Sequence, residues 1–190
     1  VSDDRVPTGA AHHRLLVSVP AMGDENFEQS VVLVLEHDAD GALGVVLNQP
    51  TGEAVAPHLP ELAELVASPP VFFLGGPVSV GGLITVGRRR LDAPGEHLRP
   101  VVGPVVLVDP DPLLDGEPVG VDLLRVYTGY SGWSAGQLDA ELAAGAWHVV
   151  DPMPDDVFCV EPATLWRSVM RRQGGRLAAQ GLYPDDVSVN

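Results

Sequence analysis

Several groups of residues in this sequence have types and spacings that invite a chemical reading, and each has a structural reading beside it. The segment Gly129-Tyr130-Ser131-Gly132-Trp133-Ser134-Ala135-Gly136-Gln137-Leu138 begins like a nucleophile elbow. An elbow is G-x-S-x-G, with glycine two positions after the serine, and here that position is Trp133, so Ser131 is not expected to be catalytic. The segment reads better as a helix start. Ser134 as N-cap with Gln137 three residues on makes a capping box, and Trp133 with Leu138 supplies a hydrophobic staple. A glycine-rich turn before a helix also offers N–H groups to an anion, although a capping box uses part of that supply.

Glu36-His37-Asp38 with Asp40 places carboxylates and an imidazole at one strand end, as a cation site would. Strand neighbours point to opposite faces, however, and the spacing fits neither a zinc-protease helix nor a D-x-D-x-D-G calcium loop. A solvated hairpin tip is the favoured reading. The other histidines (His12, His13, His58, His97 and His148) are dispersed, and Cys159 alone supplies no zinc set. No metal and no cofactor is expected. Asn48, before Gln49-Pro50, either caps its turn or projects from a strand end into a cleft beside Gly75-Gly76-Pro77. That loop is not a G-x-G-x-x-G fingerprint, so it supports no dinucleotide site.

Two arginine clusters remain: Arg88, Arg89 and Arg90 with nearby Arg99, and Arg167, Arg171 and Arg172 with Arg176. Arg167 and Arg171 have the i, i+4 spacing of one helix face, and arginines suit a helix's negative C-terminal end. The competing reading is phosphate or nucleic-acid contact. A balance of 11 basic against 26 acidic residues, net charge -15, disfavours it, because such a chain repels polyanions at long range. All 11 basic residues are arginines. Without lysine there is no P-loop ammonium, no pyridoxal imine and no Schiff-base aldolase chemistry.

The elements that must position these groups follow from pattern. At 190 residues the chain suits a single domain. Gly 21 and Pro 18 without a repeat period indicate a turn-rich globule. Residues 1–13 carry no apolar run that could serve as a signal sequence, no stretch is long enough to span a bilayer, and one cysteine suits a reducing compartment, so a cytoplasmic location without membrane attachment is expected. Arg14–Pro20 reads as a first strand, followed by a polar turn at Gly23-Asp24-Glu25-Asn26. Val31–Leu35 is continuously apolar and β-branched, as in a central strand covered on both faces. Asp40-Gly41 predicts an antiparallel hairpin to Leu43–Leu47.

Leu59, Leu62, Leu65 and Val66 have the spacing of a short helix ended by Ser68-Pro69-Pro70. Val71–Leu74, Leu83–Val86, Val105–Val108, Leu123–Tyr127 and Trp147–Val150 read as strands, and Asp109-Pro110-Asp111-Pro112 as a turn. Helices are predicted from Ser134 and over Pro162–Gln173, the latter ended by Gly174-Gly175. The expected class is α+β, with flexible segments over 1–13 and 184–190 around a single domain at 14–183.

Four motifs carry a family resemblance: Ser30–His37 (SVVLVLEH), Gly41–Pro50 (GALGVVLNQP), Gly75–Val78 (GGPV) and Gly129–Leu138 (GYSGWSAGQL). Together they closely resemble the AlgH/YqgE family of bacterial proteins, over most of residues 14 to 170. The segment after Gln173 lies outside that resemblance. The resemblance implies a mixed, mainly antiparallel sheet, bifurcated and curled into a partial barrel with outer helices. It assigns no reaction. It makes Asn48, Gly75, Gly76, Pro77, Tyr130, Gly132 and Trp133 the candidate binding surface. The reading is a non-enzymatic protein that binds a protein partner or a small ligand, in an oligomeric state the sequence leaves open. The alternatives are a transcriptional regulator that contacts DNA through the arginine clusters, and an enzyme on a small anionic substrate held by the Gly132–Ser134 amides or an arginine.

Overall fold

A computed structural model describes residues 9–19, 29–92 and 95–181. The polar turn at Gly23–Asn26 and the expected terminal segment 184–190 lie outside the described residues. Among the described residues, ten strands and five helices follow in chain order: β1 (Leu15–Ser18), β2 (Val31–Asp38), β3 (Gly41–Val46), β4 (Pro50–Ala54), β5 (Val71–Leu74), β6 (Val78–Arg89), β7 (Leu98–Val102), β8 (Val105–Val108), α1 (Pro110–Leu114), β9 (Val121–Ser134), α2 (Gln137–Ala143), β10 (Trp147–Val150), α3 (Pro154–Val157), α4 (Pro162–Arg172) and α5 (Gly175–Gln180). The strands form one mostly antiparallel sheet in the order β10-β1-β2-β3-β9-β6-β8-β7, and β5 branches from β9 and carries β4 on its far side. The sheet is curled into a half-barrel.

Three apolar clusters use the alternation of the strands. Odd residues of β2 and β3, such as Leu33, Leu35 and Val45, face an inner cluster closed by Val157 of α3 and by Leu165, Trp166, Val169 and Met170 of α4. Even residues Val32, Val34 and Val46 face the opposite side, where they meet Leu138 of α2, Trp133 and Trp147. A third cluster lies over β6, β8 and β9 beneath Leu62 and Leu113. Each fully buried aliphatic side chain contributes about 1.5–3 kcal/mol relative to exposure. Gly9–His13 form a turn in which Ala11 is fully buried, so the packed chain begins before Arg14.

Several sequence expectations hold. Val31–Leu35 is buried on both faces, the hairpin at Asp38–Gly41 joins β2 to β3 antiparallel, and α4 falls within its expected bounds. Others are corrected. The segment with Leu59, Leu62, Leu65 and Val66 is not a helix beyond a single 3-10 turn at Pro60–Leu62; Val66 instead bridges parallel to Leu124. The tertiary ladder outweighs local periodicity there, with Leu124 N–H donating to Leu65 O and Ala67 N–H to Leu124 O, both at 2.7 Å. Asp109-Pro110-Asp111-Pro112 is the start of α1, where Asp109 caps Asp111 N–H at 3.1 Å and Pro110 takes the first turn, a position proline suits. β4, β7, α3 and α5 were not expected.

The largest correction concerns Gly129–Ser134. This segment is not a helix start but the second half of the long strand β9. The helix begins later, at α2 behind Gly136 (φ 71°), which has no side-chain cap. Half of the expected capping box exists: Ser134 N–H donates to Gln137 Oε1 at 3.1 Å, although Ser134 still belongs to the strand. The amides of Gly132 and Ser134 therefore lie in a sheet rather than converging on an anion.

Candidate functional site

The family motifs meet at the point where the sheet forks. Over Tyr127 and Thr128, β9 pairs parallel with Phe73 and Leu74 of β5; from Ser131 to Ser134 the same edge pairs antiparallel with Gly44 to Gly41 of β3. Gly75 sits in the crotch. Its N–H donates to Thr128 O, and its carbonyl accepts from Val46 N–H and from Ser131 Oγ, each at 3.0 Å. Ser131 is fully buried and its hydroxyl is spent on this bond, which gives it a structural duty.

Backbones approach so closely here that side chains cannot enter. A Cβ on Gly75 would lie 2.3 Å from Gly129 O, and one on Gly76 (φ 150°) 2.3 Å from Tyr130 C. Gly129 (φ 69°) adopts the left-handed conformation that glycine tolerates and other residues rarely do. It also shifts the phase of β9. Tyr127 faces the inner cluster, and after Gly129 the even residues face that side, because Tyr130 pairs with Val78 and Gly132 with Leu43. Asn48 locks the neighbouring connection: its Oδ1 accepts from Val31 N–H and its Nδ2 donates to Gln29 O, both at 2.9 Å.

Beside the fork lies a groove of about 450 Å3, lined by Glu36, Asp38, Asp40 and Gly41–Leu43 of the β2–β3 hairpin and by Val78, Tyr130, Gly132 and Trp133. Tyr130, Gly132 and Trp133 are thus brought together, whereas Asn48, Gly75, Gly76 and Pro77 line neither this groove nor the cavities next to it. The Tyr130 ring lies over Gly132, where a Cβ would come within 3.1 Å of its Cε2. The Trp133 side chain points the other way, into the cluster of Val32, Leu138 and Trp147. Its Nε1 donates to Glu141 Oε2 at 2.9 Å, as Trp147 Nε1 does at 2.8 Å, and Gln137 Nε2 holds the other oxygen at 3.0 Å.

A second cavity of about 480 Å3 shares Glu36 and Leu43 with the groove and runs over Leu83, Ile84, Leu98 and Leu107 to His97 and Asp109. Ile84 and Leu107 extend the inner cluster to an open mouth, and Leu83 and Leu98 border it from the third cluster. Arg99 Nη1 donates to Glu36 Oε1 at 3.0 Å across this mouth, joining β7 to β2. Sequence reading missed this cavity, since no local pattern links Glu36 to Arg99. It also missed the fate of His37. Glu36 and Asp38 are exposed at the hairpin end as expected, but His37 is buried: Ala11 N–H donates to its Nδ1 at 3.3 Å, and its Nε2 lies 3.2 Å from Asp139 Oδ1. Among the described residues no group of three His, Cys, Asp or Glu side chains is arranged to hold a metal ion.

The arginine clusters do not form one basic face. Arg88 makes a two-pronged contact with Asp122, at 2.8 and 3.2 Å, and the Asp122 hydrogen bond is the main cause of its raised pKa. Arg172 grips the buried Asp156 at 2.5 and 2.7 Å and donates to Asp151 O at 2.9 Å. Arg89, Arg90 and Arg171 are exposed, and Arg167 is half-buried. The most unusual arginine is one the sequence did not single out. Arg125 is fully buried, with its guanidinium 4.2 Å above the Phe73 ring and donating to five carbonyls: Val157, Ala67, Pro69, Ser68 and Cys159, at 3.1 to 3.4 Å. Burial lowers its pKa, and it pins the loops before β5 and after α3 onto β9.

Fold and site together define a single-domain α+β half-barrel protein with an open groove beside a glycine-built fork in its sheet. The sequence matches the AlgH-like family (DUF179) over residues 15–178, and the chain belongs to that family. The match continues past Gln173, where the sequence resemblance had been expected to stop. A UPF0301 protein of Streptomyces coelicolor is 46% identical over 181 residues, covering 93% of this chain and 94% of the relative. A UPF0301 protein of Mycobacterium leprae is 39% identical over 183 residues, covering 93% and 89%. Among solved structures, protein DIP2367 of Corynebacterium diphtheriae superposes with a TM-score of 0.84 at 27% identity, covering 96% of this chain and 100% of that one. The AlgH protein of Pseudomonas aeruginosa superposes with a TM-score of 0.67 at 26% identity, covering 93% and 95%.

Proposed function

We propose that this chain is a cytoplasmic binding protein without catalytic activity of its own, and that its ligand or partner seats in the groove beside the fork. One observation carries the reading: of the residues in the shared motifs, Tyr130 turns toward that groove beside Gly132, while Gly75, Ser131 and Asn48 are consumed by main-chain bonds. Volumes of about 450 and 480 Å3 lie in the range of small-ligand sites. Ser131 has no free hydroxyl for nucleophilic attack, which weighs against acyl transfer at the fork. Among the described residues no helix is long and apolar enough to cross a membrane.

Regulation through DNA has less support, because Arg88 and Arg172 are engaged by carboxylates. Native mass spectrometry of gently purified protein, compared with the same sample denatured, tests the binding reading. The expected result is an added mass that denaturation releases and that Gly132→Ala lowers in occupancy by crowding the Tyr130 ring. A bare chain, with neither ligand nor partner under any growth condition, would contradict it.

A further inference from the structure

We infer that the groove and the adjoining cavity form one two-part site for a small amphipathic organic cation, an amine or guanidinium carried on an apolar body. The inference rests on the binding reading above and adds the chemistry of the ligand. The two volumes meet at Glu36 and Leu43, which line both. The cavity supplies the apolar half, lined by the part-buried Leu43, Leu83, Ile84 and Leu107 over the buried Leu35 at the open mouth of the half-barrel. Of its polar groups, Thr85 Oγ1 donates to Val108 O at 2.6 Å, Arg99 is paired with Glu36, and His97 with Asp109 stands at the far end. An apolar body is what remains to fill it.

The groove supplies the polar half, and its sign is negative. Glu36, Asp38 and Asp40 line it and no basic residue does. Glu36 already has Arg99; Asp38 accepts only the Asp40 N–H at 2.8 Å, and neither Asp38 nor Asp40 has a cationic side chain within ion-pair distance among the described residues. The half-buried Tyr130 offers an aromatic face, and its hydroxyl has no hydrogen bond among the described residues. Carboxylates beside an aromatic face attract a cation by charge and by the ring quadrupole. The net charge of -15 adds long-range attraction of the same sign. An anionic head would have to displace Glu36 from Arg99 and sit against Asp38 and Asp40.

The test is a pair of probes of matched shape and opposite charge, 4-phenylbutylamine and 4-phenylbutyrate, titrated into the full 15N-labelled chain and followed by amide chemical shifts. The amine is expected to give saturating shifts at Gly41–Leu43 and Tyr130–Trp133, weakened by added salt. Asp38→Asn with Asp40→Asn should weaken it about tenfold while leaving the thermal midpoint unchanged, since both side chains are exposed. Tyr130→Leu should weaken it independently. Equal shifts from the carboxylate would overturn the cationic assignment and leave the groove as a binding site. Binding of a basic peptide such as acetyl-Leu-Arg-Leu-Arg-amide, with none of the amine, would overturn it in favour of a protein partner. If no probe moves these amides, the cationic assignment fails, and the native mass spectrum decides the groove reading separately.

Discussion

Replacing Arg125 by methionine isolates a group that the sequence does not single out within the strand Leu123–Tyr127 and that is fully buried in the fold. The change keeps an unbranched apolar stem and removes the guanidinium. Three of the five carbonyl contacts are 3.1 or 3.2 Å long and two are 3.3 and 3.4 Å. Counting only the shorter three, hydrogen bonds from a charged donor sum to roughly 5–9 kcal/mol. The Phe73 ring adds about 1–2 kcal/mol. Against this, no carboxylate neutralises the guanidinium, so its removal recovers a desolvation penalty of several kcal/mol. The difference is a destabilisation of about 3–5 kcal/mol, with the Ala67–Pro69 and Val157–Cys159 carbonyls left without donors. For a domain of this size that lowers the thermal midpoint by roughly 10 °C. Urea denaturation followed by circular dichroism measures the loss. Arg125→Lys should recover little of it, because one ammonium cannot span both loops. A methionine variant within 1 kcal/mol of the parent, a threshold set by ordinary surface changes of about ±0.5 kcal/mol, would refute the reasoning that the cage holds these loops.

Other expectations follow from the same structure. Gly76→Ala places a methyl against the Tyr130 carbonyl carbon and strains a φ of 150°, so it should cost at least about 3 kcal/mol by urea denaturation. Glu141→Ala leaves two indole N–H groups without their shared acceptor and should cost about 2–4 kcal/mol, with a shift in tryptophan emission as its spectroscopic sign. Arg172→Ala strands the buried Asp156 and should destabilise by about 3–5 kcal/mol, whereas Arg171→Ala, at an exposed position, should change stability by less than about 0.5 kcal/mol. His13 has a pKa lowered by burial and then by His12, against which it stacks at 3.8 Å. The unfolded chain therefore binds the extra proton first, so this group removes stability as pH falls below about 6.5 and none above it. His13→Gln should flatten that part of a denaturation-midpoint profile.

What the sequence disclosed was mostly local. The β2–β3 hairpin is written in Asp40-Gly41, and the amphipathic pattern of Leu165, Trp166, Val169 and Met170 marks α4. What it concealed was set by distant partners. Gly129–Ser134 has good helix-start chemistry, yet β3 and β6 recruit it as strand, and Ser134 with Gln137 keeps half of the expected bond while the helix moves on. Val66 is drawn into a bridge with Leu124 for the same reason. Of the candidate surface, the motifs pointed to the right region without separating fork from groove. Gly75, Gly76 and Asn48 serve the backbone, and only Tyr130, Gly132 and Trp133 line the groove. The adjoining cavity needed the fold, because Glu36 and Arg99, which pair across its mouth, stand 63 positions apart.

The binding role of the groove is tested most directly by a crystal structure of protein purified gently, without added ligand or competing amine, and compared with its Gly132→Ala variant. The account predicts density for a bound molecule between the β2–β3 hairpin and Tyr130 in the parent, reduced when the variant's methyl displaces the ring. A groove holding only solvent in both, with a bound molecule elsewhere on the chain, would contradict it.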